Sequence, residues 1–213
     1  MEIHLNQVLP VPMKDQSFSP DSIWRNSITF VQSGDALVLA PSGTGKTSLL
    51  SFLFGMRSDY KGEIRIDGKN IRSFSLNDWA EIRQRKISMV MQDLRLIPTL
   101  TVEENLRIKN RLSNQFSIEE IKEMLSRVGL ADKWQQRCGT LSIGQQQRVS
   151  IVRALLQPYQ WLFLDEPFSH IDNDNIFKAA ELIREISLKN GASVLMVSLG
   201  SDFNLSFNQK YKL

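Results

Sequence analysis

Histidine, cysteine and long apolar runs are all scarce in this chain. It holds one cysteine, Cys138, and two histidines, His4 and His170. A lone cysteine excludes an internal disulfide and any cysteine-rich metal site, and it fits a reducing compartment. No apolar run approaches the roughly 20 residues that span a bilayer. The N-terminus lacks the charged-then-apolar layout of a signal peptide. Any membrane role is therefore expected to come through a partner. Nor does one sign of charge dominate: 26 Lys and Arg against 23 Asp and Glu leave +3, a mild bias rather than a nucleic-acid footprint. The densest basic cluster, Arg83, Arg85 and Lys86, reads as a solvated helix end, with a phosphate or anionic-lipid contact as the other reading. Internal repeats and low-complexity segments are also missing.

What is present is a globular balance, 42% hydrophobic and 23% charged residues. A chain of 213 residues is expected to form one unit and to bury roughly 70% of its unfolded surface. Four short apolar runs, Ala36–Ala40, Ile87–Met91, Trp161–Leu164 and Ser193–Val197, read as buried strands of a parallel sheet. Helical segments between them give the rhythm of an α/β fold. One is predicted over Thr47–Phe54, ending near Gly55. Ile23–Gln32 and Gly62–Asp67 read as antiparallel strands, and Asp67-Gly68 is a turn signal. From about Leu94 to Thr140 the character changes. Thr101 with Glu104, and Ser117 with Glu120, match capping boxes. Ile118, Ile121, Leu125 and Val128 mark one helical face, and Gly129 is a stop. This stretch reads as a helical insertion. The first twenty residues, with Pro10, Pro12 and Pro20, receive no assignment.

Three short motifs carry the chemistry. Ala40–Thr47 reads APSGTGKT, a phosphate-binding loop in which Ala40 replaces the usual first glycine. Such a loop needs consecutive backbone N–H groups aimed at phosphate oxygens, which Gly43 and Gly45 permit. Lys46 is expected to reach the β- and γ-phosphates and Thr47 to supply a Mg²⁺ ligand. The following helix presents its N-terminus to the anion. Leu162–Pro167 reads LFLDEP and places two acids directly after a strand. Asp165 is the candidate Mg²⁺ residue, and Glu166 the candidate general base for the attacking water. Leu141–Gln145 reads LSIGQ ahead of a helix. Ser142 and Gly144 there are either a simple N-cap or an anion site.

In this order and spacing the residues resemble the ATP-binding cassette family, over nearly the whole chain. Lys61–Gly68 (KGEIRIDG) is similar to its β-subdomain. Met91-Gln92, then Leu100-Thr101-Val102-Glu103-Glu104-Asn105, is similar to its glutamine loop and the start of its helical subdomain. Ser169-His170-Ile171-Asp172 is similar to its D-loop. The resemblance implies a P-loop NTPase fold: a RecA-like parallel sheet core, an antiparallel β-subdomain and an inserted α-helical subdomain. It implies one domain over 1–213, with the core from about 1–92 and 146–213 and the helical subdomain with its signature at about 93–145. ATP and Mg²⁺ are the implied ligands. Ala40, Pro41, Ser42, Gly43, Thr44, Gly45, Lys46, Thr47 and Ser48 are the implied phosphate-binding residues. Gln92 joins Thr47 and Asp165 at the metal, and Lys46 and Glu166 in catalysis, and it couples the site to a membrane partner. Phe18 is the candidate for stacking on adenine, against a reading as a packing aromatic, with Trp24 as rival. Two cassettes are implied to face head to tail, so that Ser142, Gly144 and Gln145 meet the γ-phosphate bound to the other chain. Ile143 stands where the signature has glycine.

One departure cuts across this. After the strand Ser193–Val197 the family places a histidine against the γ-phosphate, and here the residues are Ser198-Leu199-Gly200. Leucine can neither donate nor accept a hydrogen bond. Ser198 is shorter and one position away. His170 is either an interface residue or a substitute reaching across it. The expected function is the ATPase subunit of a membrane transport complex that drives a separate multi-span permease by ATP-dependent homodimerisation. The alternative is a nucleotide-dependent switch with little turnover. A cytoplasmic, membrane-peripheral location is expected, with no nucleic-acid partner. The few residues after Leu199 predict a short last strand near Lys210–Leu213 and no regulatory domain, the layout of short export and lipoprotein-release subunits.

Overall fold

The computed structural model describes residues 1–32, 34–200, 202–203 and 205–213. Nine strands form two sheets among these residues. Strands β1 (Glu2–Pro10), β2 (Ser27–Val31), β4 (Tyr60–Ile66) and β5 (Lys69–Asn70) pair antiparallel in the order β2-β1-β4-β5. Strands β3 (Ala36–Leu39), β6 (Ile87–Val90), β7 (Trp161–Asp165), β8 (Ser193–Ser198) and β9 (Gln209–Lys212) pair parallel in the order β6-β7-β8-β3-β9. The helices are α1 (Lys46–Leu53), α2 (Leu76–Arg85), α3 (Val102–Asn110), α4 (Ile118–Arg127), α5 (Ile143–Leu155) and α6 (Asn173–Lys189). None of them is long and apolar enough to cross a membrane.

The continuous apolar runs are explained by burial on both faces of the parallel sheet. Alternate side chains point to opposite sides. Leu37, Val90, Leu162, Leu164, Val194 and Met196 face a cluster with α3, α4, α5 and α6. Ala36, Val38, Ile87, Trp161, Phe163, Leu195 and Val197 face α1 and the antiparallel sheet, whose Ile3, Leu5, Ile64 and Ile66 close the second cluster. Val102, Leu106, Ile121 and Leu125 put the helical insertion on the same cluster as the sheet.

Local signals act as read at the helix ends. Thr101 and Glu104 form a reciprocal capping box on α3, and Ser117 and Glu120 form one on α4. Gly129 ends α4 at φ +70°. The unassigned N-terminus is β1, the strand that joins β2 to β4. Its register slips between Asn6 and Leu9, and Gln7 there has φ +51°. Gly62 is required opposite this bulge, because a Cβ would lie 2.2 Å from the Gln7 carbonyl oxygen. The strand expected over Ile23–Gln32 starts only at Ser27. Ile23 and Trp24 turn inward instead: the Ile23 N–H donates to the Lys212 carbonyl at 2.8 Å, and Trp24 is buried. The basic cluster does sit at a helix end, but Arg83 lies over the Phe54 and Trp79 rings rather than in solvent, and Lys86 pairs with Asp67 at 3.2 Å.

Candidate functional site

The site forms at the carboxyl ends of β3, β6, β7 and β8, where a parallel sheet leaves its crevice. Ala40–Gly45 connects β3 to α1, with Gly43 at φ +80° and Gly45 at φ +95°. Gly43 has open space where a Cβ would be, which lets an anion approach the backbone. Gly45 is backed by Met13 and Trp24, 3.0 and 3.1 Å from the position of its missing Cβ. The Trp24 indole N–H donates to the Thr44 carbonyl at 3.0 Å. Trp24 is thus built under the loop, and as a rival for stacking on adenine it is ruled out by burial. Phe18 is half-buried against the same core, with the Arg25 guanidinium 6.0 Å from its ring centre.

Lys46 opens α1 and is buried. Its Nζ donates to the Ala40 and Pro41 carbonyls, each at 2.9 Å, and pairs with Glu166 Oε1 at 3.2 Å. Thr47 Oγ1 donates to Gln92 Oε1 at 3.3 Å. Ser48 Oγ accepts from Arg57 at 2.9 Å. Thr47, Gln92 and Asp165 line one cleft of about 420 Å³. Asp165, the last residue of β7, is 1% exposed, with the Thr47 hydroxyl and the Lys46 ammonium beside it. Burial pushes its carboxyl up to about 6. A buried carboxylate is costly unless a cation meets it. Asp165, the Thr47 hydroxyl and the Gln92 amide oxygen form a hard-oxygen set that suits Mg²⁺ shared with phosphate. Among the described residues no group of three or more His, Cys, Asp or Glu could hold a metal ion, so water or phosphate oxygens would complete such a shell.

Glu166 adopts φ +50°, uncommon for a side chain with a Cβ. Its N–H donates to the Val197 carbonyl at 3.2 Å, and its carbonyl accepts from Gln147 Nε2 at 3.0 Å. This turn separates the two acids: Asp165 faces the cleft and Glu166 faces Lys46.

The LSIGQ motif caps α5. Ser142 Oγ accepts from the Gln145 N–H at 3.3 Å, and Gln145 Oε1 accepts from the Ser142 N–H at 3.0 Å. Gly144 has a reason to lack a side chain, since its Cβ would lie 2.4 Å from the His170 carbonyl oxygen. Ile143 is half-exposed. Among the described residues no hydrogen bond joins this motif to Ala40–Ser48. His170 is exposed, with Nδ1 at 2.9 Å from Ser169 Oγ. Leu199 is 58% exposed directly after Ser198, whose carbonyl accepts from the Ala40 N–H at 3.1 Å. Position 199 therefore borders the loop but brings no polar group to it.

Two residues at the site went unread in the sequence. Gln147 bridges Glu166 to Ser169 and His170. Arg153 donates to the carbonyls of Leu94, at 2.7 Å, and Arg95. Those two residues have φ +58° and +51° just beyond Gln92, so Arg153 braces a strained turn. Both sit on α5.

The geometry can be set beside known proteins. Residues 26–169, more than half of the chain, match the family described as ABC transporter. An uncharacterised ABC transporter ATP-binding protein of Mycobacterium tuberculosis is 36% identical over 165 residues, covering 76% of this chain and 49% of that protein. The chain thus spans about half the length of this relative. The ABC transporter ATP-binding protein YtrE of Bacillus subtilis is 30% identical over 190 residues, 88% of this chain and 82% of that protein. The dimeric structure of a bacterial ABC transporter cassette has the same fold, with a TM-score of 0.82 at 24% identity over 99% of this chain and 94% of that one.

Proposed function

The chain belongs to the ABC transporter family of ATPases, and on that premise we propose that it is the ATP-binding, ATP-hydrolysing subunit of a membrane transport complex. The observation that carries this reading is the pairing of Lys46 with Glu166 across the mouth of the loop, beside a buried Asp165. Lys46 is held where a polyphosphate would take over its ammonium. The N–H groups of Gly43–Thr47 converge on the same anion. Phe18 stacks on the adenine. Thr47, Gln92 and Asp165 would hold Mg²⁺, which when bound would neutralise phosphate charge. Glu166, freed from Lys46, accepts the proton of the attacking water. Isothermal titration of Mg-ATP into the wild-type chain and Lys46→Ala tests the assignment. Tight binding in the first and none in the second is expected, and equal affinity overturns it.

The motif at α5 supports a second copy as partner. Ser142, Gly144 and Gln145 cap a helix N-terminus next to a half-exposed Ile143, a surface suited to an anion and a protein face together. A head-to-tail homodimer would bring it to the phosphates on the other chain. A separate multi-span subunit would hold the pair at the cytoplasmic face of a membrane. Leu199 favours one alternative: a nucleotide-dependent switch with little turnover. Phosphate release measured beside ATP affinity separates them, since a switch binds ATP and releases almost no phosphate.

A further inference from the structure

We infer that Gln147 is the positioning residue of Glu166, and that it ties the base to the N-terminal end of α5; the inference rests on the reading of Glu166 as the base. Gln147 lies one turn into α5 and is 2% exposed. Both N–H groups and the oxygen of its amide are engaged. Nε2 donates to the Glu166 carbonyl at 3.0 Å and to Ser169 Oγ at 3.3 Å, and Oε1 accepts from the His170 N–H at 3.0 Å. Glu166 is held on the other side by its N–H on Val197 of β8. The left-handed backbone at Glu166 costs roughly 1 kcal/mol or more and persists only where neighbours over-determine it. The strand on one side and Gln147 on the other supply that constraint. One turn earlier, Gly144 leaves room for the His170 carbonyl. Segment 166–170 and the start of α5 therefore move as one piece, and a displacement of the Ser142–Gly144 cap is passed to the base through a single amide.

Two substitutions separate the arms of that amide. Gln147→Glu keeps an acceptor for the His170 N–H but loses the donor to Glu166. Gln147→Met keeps the length and loses both. We expect kcat to fall by about 10–10²-fold in each, the effect of misplacing a reacting group by about 1 Å, while KM for ATP changes by less than about threefold. Amide exchange of His170 should quicken in the methionine variant and stay slow in the glutamate variant. Wild-type kcat in both folded variants overturns the inference. So does fast exchange at His170 in the wild-type chain, a measurement that needs no variant. Turnover that requires Glu166 but ignores Gln147 sinks this inference alone, whereas turnover indifferent to Glu166→Gln sinks the reading of the base and this inference with it.

Discussion

Replacing Glu166 by glutamine should move binding and turnover in opposite directions. The Lys46 ammonium is shared among two carbonyls and Glu166. Phosphate must draw it away from that carboxylate. At their separation of 3.2 Å, two unit charges attract by about 1 kcal/mol in water and about 5 kcal/mol at an effective dielectric of about 20. Desolvation of both groups, and the neutral hydrogen bond that glutamine retains, offset most of the larger figure. What remains is about 1–2 kcal/mol, or about 5–30-fold tighter ATP binding. Turnover should fall by about 10²–10⁴-fold with the loss of the base. Calorimetry with ATP and with ADP, beside phosphate release, reads both. ADP matters because glutamine also relieves repulsion of the γ-phosphate, and a gain that persists with ADP isolates the release of Lys46. Wild-type or weaker affinity for both nucleotides in a folded variant would refute competition by the ion pair, and retained turnover would refute the base.

Leu199→His should raise kcat, by anything up to a few hundredfold, the scale of one fixed donor at developing charge, with ATP affinity within about twofold; a rate unchanged in the folded variant removes position 199 from the account. Asp165→Asn should stabilise the chain by about 1–3 kcal/mol in urea melts without nucleotide, because it removes a buried charge whose desolvation Thr47 and Lys46 offset only in part, and should abolish the Mg²⁺-dependent part of ATP binding; a less stable chain contradicts this. Burial, with Arg153 nearby, lowers the Lys109 ammonium to about 8 from 10.5. The folded chain therefore binds fewer protons than the unfolded one across that interval, and stability should rise with pH there. Lys109→Met should stabilise at pH 7 by about 1–3 kcal/mol, with the advantage shrinking as pH climbs from about 8 to 10.5; a constant difference between the melts refutes it.

Helix caps and buried strands were legible in the sequence because their causes are local. Thr101 and Glu104 lie three residues apart on one turn, and the runs around Val38 and Phe163 are apolar because both faces are covered. Strand β1 was not legible. Pro10 and Pro12 obscure its end, and it stands because Leu5 pairs with Ile28 on one side and Ile64 on the other. The motif spacings indicated Lys46, Thr47, Gln92, Asp165 and Glu166 as a set, but not that Lys46 and Glu166 pair with each other. Gln147 and Arg153 were invisible for a different reason. Their partners are mainly backbone carbonyl and N–H groups, which nearly every residue carries and no motif marks. Trp24 entered as a rival to Phe18 because its chemistry suits stacking, and only the fold shows that its face is spent beneath Thr44 and Gly45.

The strand order has a consequence during synthesis. Strand β3, which carries the phosphate loop, pairs with β8 at Leu195 and with β9 at Gln209. Both neighbours are translated long after it. At about 5–20 residues per second, β3 waits on the order of 10–30 s with bare edges. An apolar strand in that condition is a target for chaperones and a hazard for misassembly. The loop cannot be mounted until Ser198 arrives to receive the Ala40 N–H. Nucleotide capture by a ribosome-bound chain would then mark the emergence of β8, and chains stalled before β8 should leave an ATP resin empty-handed.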